Sequence, residues 1–151
     1  MAGAVTVRGI GEATAALRAM AARVEEATPV ALHAAAALIE GKARANLSRR
    51  SHARGTPTPS PPGQPPAMIS GTLRSNWMVE GPVSNGTGAW MCTLYPTTVY
   101  AGIQEVGGWA GRGHSSHLPA RPYLRPATED LIRNGALRSV FVHAWAAAIR
   151  A

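Results

Sequence analysis

The sequence predicts an α+β fold, with N-terminal helices, a small antiparallel β-sheet and C-terminal helices packed on that sheet. Apolar residues recur at three- and four-residue spacing at both ends of the chain, and alternate with period two in the middle. Between the two alternating runs, Asn85-Gly86-Thr87-Gly88 is a hairpin signal. At 151 residues, one domain over 1–151 is expected.

The first helix is expected over 11–27, where Ala13, Leu17, Met20 and Val24 form a narrow apolar stripe between Arg18, Arg23 and Glu25. Thr28-Pro29 reads as an N-cap followed by proline in a first turn, so a second helix or a kinked continuation should run to about Leu47. Its buried face is expected at Val30, Ala34, Ala37, Leu38 and Ala45, and His33 is read as a surface histidine. Residues 48–66 change character: six prolines and no hydrophobic periodicity exclude a helix or a central strand. This Pro/Arg-rich arm is expected to be extended and to reach an adjacent subunit or line a channel.

In the run from Leu73 to Glu80, Leu73, Trp77 and Val79 share one strand face, and Gly81-Pro82 should end the strand. The return strand, 89–95, places Trp90, Cys92 and Leu94 on one face and Met91, Thr93 and Tyr95 on the other. Both faces are apolar enough to expect cover on both sides. Cys92 reads as a small buried hydrophobe rather than a nucleophile. Tyr100, Ala101 and Glu105 sit within about one helical turn of one another before Gly107-Gly108 stops regular structure. Residues 107–118 then read as a mobile glycine-rich loop carrying Trp109 and Arg112, an interaction element. Its His114 and His117 could supply two metal ligands, but zinc needs three or four, so no metal or cofactor is expected.

Prolines 119, 122 and 126 frame Arg121-Pro122-Tyr123-Leu124-Arg125, with Arg121 extended and Pro122 opening a helix that turns Leu124, Ala127 and Leu131 inward. Asn134-Gly135 breaks it. From 136 to 149, Leu137, Val140, Phe141, Ala144, Trp145, Ala148 and Ile149 form the strongest apolar stripe in the chain, read as core packing.

Charge is uneven. Of a net +7, six positive residues (Lys42, Arg44, Arg49, Arg50, Arg54, Arg74) and no acid fall within 41–79, against nine arginines and eight acids elsewhere. Such a segment suits a phosphate backbone, bound by charge without base readout, or acids on a neighbouring subunit. Aromatics make up only 5%, so the core should be thin and alanine-rich, as in subunits that depend on neighbours. One cysteine excludes an internal disulfide, and neither a signal peptide nor a membrane span is legible, so assembly in a cytoplasm is expected.

Four short blocks stand in order: Pro62-Gly63-Gln64-Pro65-Pro66, Ser70-Gly71-Thr72-Leu73-Arg74, Tyr100-Ala101 with Glu105 and Gly107, and Arg121-Pro122-Tyr123-Leu124-Arg125-Pro126-Ala127. Together they resemble the tailed-bacteriophage family of head–tail joining, or tail-completion, proteins, over nearly the whole chain. The resemblance implies a neck ring subunit, expected to be hexameric, that joins the capsid connector or stopper to the tail tube and lines the passage for genomic DNA. It also implies residence in the virion after assembly in a bacterial cytoplasm, no membrane and no catalysis. A tail terminator capping the tube is the alternative within that family, and a basic non-specific DNA-binding protein the alternative outside it. On this reading Arg44, Arg49, Arg50, Arg54 and Arg74 face DNA or a neighbouring subunit. Tyr100, Glu105, Trp109, Arg112, Arg121 and Arg125 then belong to subunit or partner interfaces, with Glu105 pairing with Arg121 or Arg125. Tyr123 replaces a commoner phenylalanine, adding a hydroxyl that needs a partner.

Overall fold

A computed structural model describes residues 8–55 and 60–151. The N-terminal residues 1–7, where a signal peptide would begin, and 56–59, the middle of the proline arm, lie outside the described residues. The spine is one helix, α1 (Ile10–Leu47). A single turn, α2 (Thr72–Ser75), precedes an antiparallel hairpin of β1 (Trp77–Ser84) and β2 (Trp90–Pro96). Next come α3 (Ala101–Val106) and a second hairpin, β3 (Gly108–Ala110) and β4 (Ser116–Leu118), joined through a 3₁₀ turn at Arg112–His114. Two helices, α4 (Leu124–Arg133) and α5 (Ala136–Arg150), close the chain. Both C-terminal helices and the first hairpin pack along α1, giving the α+β arrangement that the sequence predicts.

Of the two outcomes expected at Thr28-Pro29, a new helix or a continuation to Leu47, the structure has the continuation. Pro29 lies inside α1, and Thr28 does not cap a new helix: its hydroxyl donates to the carbonyl of Val24 at 2.8 Å and accepts from Trp145 Nε1 at 3.1 Å. An interior proline removes one helical hydrogen bond; the helix runs on through it, tied to α5 by the Thr28–Trp145 bond. The predicted face is also displaced. Val30, Ala34, Ala37, Leu38 and Ala45 are exposed, whereas Ala31, Ala35, Ala36, Ala43, Asn46 and Leu47 are buried. Residues 34–38 are all apolar, so their spacing carries no phase, and the neighbouring helices decide which side is covered. Toward its start α1 leaves the body: every residue from Ile10 to Arg23 is exposed, including Ala13, Leu17 and Met20 of the apolar stripe, while Val24 is half-buried.

The core is small. Ala43 and Leu47 of α1, Leu73, Ala101, Tyr123 and Ala127 enclose one another, with Trp77 and Leu124 at the edge. Alanine lets the elements approach closely but contributes little burial, so the one large side chain, Tyr123 at 1% exposure, dominates. Its ring meets Trp77 edge-on at 6.1 Å, joining the start of α4 to the start of the sheet.

Strand β1 starts later than expected, since Leu73 and Arg74 belong to the α2 turn, and it does not stop at Gly81-Pro82. The pairing slips between Glu80 and Val83, so the two residues form a bulge inside the strand. Gly81 is required there: at φ 90° a Cβ would lie 2.6 Å from the Met91 carbonyl oxygen. The predicted alternation holds, with Trp77, Val79, Cys92 and Leu94 half-buried, but the second face is not covered as expected. Met78 is 46% exposed and Met91 67%. The loop at 107–118 is an ordered hairpin rather than an irregular segment; Trp109 pairs with His117 across it, their rings 5.2 Å apart.

On α5 the stripe packs on α1 only in part: Leu137, Val140, Phe141, Ala144 and Ala148 are half-buried, while Trp145 and Ile149 are exposed, so no residue of this helix reaches the core. Tyr123→Ala should therefore cost about 3–5 kcal/mol, the range for emptying a large buried site. Trp145→Ala should cost clearly less, contrary to the core role its spacing suggested. Chemical denaturation of the two variants side by side checks the order.

Candidate functional site: a carboxylate clasp beside a basic groove

Helix α4 begins without a capping side chain, because Tyr123 occupies the cap position. Its first amides would be orphaned. Glu105, on α3, supplies the acceptor: Oε2 takes the N–H of Tyr123 at 2.9 Å and of Leu124 at 3.0 Å, and Oε1 that of Arg125 at 2.8 Å. A carboxylate at a helix N-terminus gains from the amide hydrogen bonds and from the helix dipole together. The expected pairing of Glu105 with an arginine is thus replaced by main-chain contacts. The Arg121 side chain turns inward, 8% exposed, and donates through Nε to the Ser60 carbonyl at 2.8 Å; its N–H donates to the Gln104 carbonyl at 2.7 Å. Arg125 points outward and lies 3.8 Å from Glu129. Pro122 precedes the helix rather than opening it, and Pro126 lies in the first turn.

The clasp holds the loop chain as well. Gly63 N–H donates to the Ala120 carbonyl at 2.9 Å, and Ser60 is buried. Ser51 and Met68 form a parallel bridge, with His52 N–H donating to Met68 and Met68 N–H to Arg50. The described ends of the 48–66 arm therefore fold back on their own domain instead of reaching outward, because proline-rich chain finds its few hydrogen bonds on the surface beside it. Gly107 completes the clasp: at φ 73° a Cβ would lie 2.7 Å from Ala120 N and 2.9 Å from the Leu118 carbonyl oxygen.

Beside this clasp an open groove of about 330 Å³ runs between the arm, α2 and α3. Leu47 and Met68 lie in its wall with Arg54, Arg74, Tyr100 and Gln104, and no acid lines it. The basic residues expected to act together separate into two sets. Lys42 reaches Asp130 at 3.5 Å and Arg44 reaches Glu40 at 2.5 Å, so these are neutralised within the chain. Arg49, Arg50, Arg54 and Arg74 are exposed, and among the described residues none forms an ion pair. Of the residues expected at interfaces, Glu105 and Arg121 are internal fasteners. Tyr100 at 41% exposure lines the groove, and Trp109 at 61% exposure and Arg112 stand on the second hairpin.

Two phenols are perturbed. Tyr95, on the bare face of the first hairpin, donates to Glu80 Oε1, and that hydrogen bond raises its pKa. Burial, then the charge of Glu105 and the neighbouring Tyr100, push Tyr123 well above its ordinary value of 10.0. The Tyr123 hydroxyl lies 3.4 Å from the Ala101 carbonyl, a long contact for the partner it needs. Among the described residues no group of three or more His, Cys, Asp or Glu side chains could hold a metal, and no helix is long and apolar enough to cross a membrane.

The clasp was within reach of sequence reasoning: a helix start with no Ser, Thr, Asp or Asn at its cap needs an acceptor from elsewhere. The groove was not, since its walls come from residues 47–74 and 100–104. No protein-family model, no curated protein and no solved structure matches the chain.

Glu105→Ala should lower stability by about 1–3 kcal/mol through the unsatisfied amides, and Glu105→Gln, which keeps an acceptor, by less. Urea titration distinguishes them. Because the folded state keeps the Tyr123 phenol protonated above its unfolded pKa, its contribution is complete below about pH 10 and is lost as pH rises beyond it. Tyr123→Phe should therefore cost little at neutral pH and flatten the alkaline fall in melting temperature.

Proposed function

We propose that the chain is a structural subunit of a bacteriophage neck ring, expected to be hexameric, that joins the capsid connector to the tail tube and lines the DNA passage. The observation that carries the reading is the bare N-terminal half of α1, where Leu17 is 67% and Ile10 63% exposed on a helix that leaves its own domain. Apolar residues scattered singly on a surface need no explanation, but a stripe of them on a projecting helix marks an interaction surface. The uncovered hairpin face with Met78 and Met91 is a second such surface. A subunit with a thin alanine core and two open apolar faces suits an assembly in which copies complete one another.

The four-block resemblance supplies the setting. Arg49, Arg50, Arg54 and Arg74, unpaired within the described chain, would meet phosphates or the acids of an adjacent ring. Placement in the virion, without catalysis, belongs to the same reading, as does the terminator alternative. The acid-free groove and its arginines favour one reading of another class, a freestanding non-specific DNA-binding protein.

Negative-stain microscopy and light scattering of the purified protein separate these. The neck reading expects closed rings of uniform mass with a central channel; a monodisperse monomer that binds random duplex tightly would overturn it in favour of the DNA-binding class. In either case, changing Arg49, Arg50, Arg54 and Arg74 to Gln should weaken duplex binding. The log–log salt dependence of that binding should also become shallower, by about 0.9 for each phosphate that is no longer neutralised.

A further inference from the structure

The groove between the arm, α2 and α3 combines cations with apolar surface. Its two cations come from different walls: Arg54 stands on the arm, just past the Ser51–Met68 bridge, and Arg74 on the α2 turn. Neither forms an ion pair among the described residues, and no acid lines the groove. The rest of the lining is largely apolar. Leu47 and Leu73, at 3% and 8% exposure, close the bottom, with Met68 half-buried and Ile69 54% exposed beside them. On the α3 side Tyr100 and Gln104 add a phenol and an amide.

That combination sorts the occupants. The arginines alone would suit phosphates, but the apolar floor would not: duplex DNA is a convex, strongly hydrated rod that binds through a broad basic face. Arg49 and Arg50, the other unpaired arginines of this region, lie outside the groove wall, so the recess itself offers a phosphate backbone little charge and much surface it gains nothing from covering. A volume of about 330 Å³ is at the small end for ligand sites and admits a few side chains of an extended chain. An apolar side chain there would take Leu47, Met68 and Leu73 out of water, and carboxylates on either side of it would reach guanidinium groups, the donors best matched to a carboxylate.

We infer that this groove docks an extended acidic segment of another protein, in which carboxylates on both sides of an apolar residue pair with Arg54 and Arg74. Charge complementarity selects the acids, and the apolar floor selects a peptide over a nucleic acid. The neck reading allows these arginines either phosphates or the acids of an adjacent ring. The inference rests on that reading for placing the segment in an adjacent ring, and assigns Arg54 and Arg74 to acids while Arg49 and Arg50 stay available to phosphates.

The test selects binders to the full-length chain from a displayed library of random short peptides, then measures the enriched peptide, labelled, by fluorescence anisotropy. Enriched sequences should carry an acid on each side of an apolar residue. Arg54→Gln with Arg74→Gln should weaken the peptide by about 100-fold, roughly tenfold for each lost pair, whereas Arg49→Gln with Arg50→Gln should change it by less than about twofold. Ile69→Ser, at an exposed position, should weaken the peptide by about tenfold and leave binding of random duplex and single-stranded DNA unchanged. A selection that enriches nothing, or peptides that lack acids or ignore Arg54 and Arg74, would overturn the inference. DNA binding that falls with Ile69→Ser as far as peptide binding does would make nucleic acid the occupant and overturn it too. Light scattering of the same samples keeps the neck reading separate: rings that select no acidic peptide overturn the groove assignment alone, while a monomer that selects one keeps the groove and overturns the ring setting.

Discussion

The fold depends on the three hydrogen bonds by which the Glu105 carboxylate holds the first amides of α4. They fix α3 against α4 and seat Tyr123, the largest fully buried side chain among the described residues, in a core otherwise made of alanine and leucine. Around that seat, Asn46 of α1 donates to the Tyr123 carbonyl, Trp77 packs on its ring, and Arg121 ties the chain at Ser60. Four elements and the arm thus meet at one short stretch, 121–125. A core this poor in apolar volume gains little from burial alone, so directional bonds to well-placed amides count for more than they would in a larger domain.

The same economy explains the surface. One side of α1 is committed to α4, α5 and the hairpin, but only over its C-terminal half; the rest projects with its apolar line bare. The first hairpin turns Trp77, Val79, Cys92 and Leu94 toward the body and leaves Met78 and Met91 outside. Apolar residues thus stand at regular spacing on two surfaces that no described element of the chain covers fully. Cations divide into two sets: Lys42 and Arg44 are matched by acids on adjacent turns or helices, and the arginines of the arm and α2 form no ion pair among the described residues.

Sequence determined the class of fold and the kind of the main elements, but not the α2 turn, read as strand, nor the second hairpin, read as a loop. Period-two alternation, the Asn85-Gly86 turn, the glycine stop at Gly107 and the break at Gly135 depend on backbone geometry within a few residues, and each stands where the spacing puts it. The inward set Leu124, Ala127 and Leu131 was equally legible, because polar residues mark the opposite side of that helix. Only tertiary structure decided which face of α1 is covered, whether Thr28-Pro29 breaks it, where Glu105 points and which arginines are free. Runs of alanine carry no orientation, a helix can run on through a proline where a neighbouring helix ties it, and a carboxylate finds its strongest partners among amides eighteen to twenty residues away, at distances that local spacing does not encode.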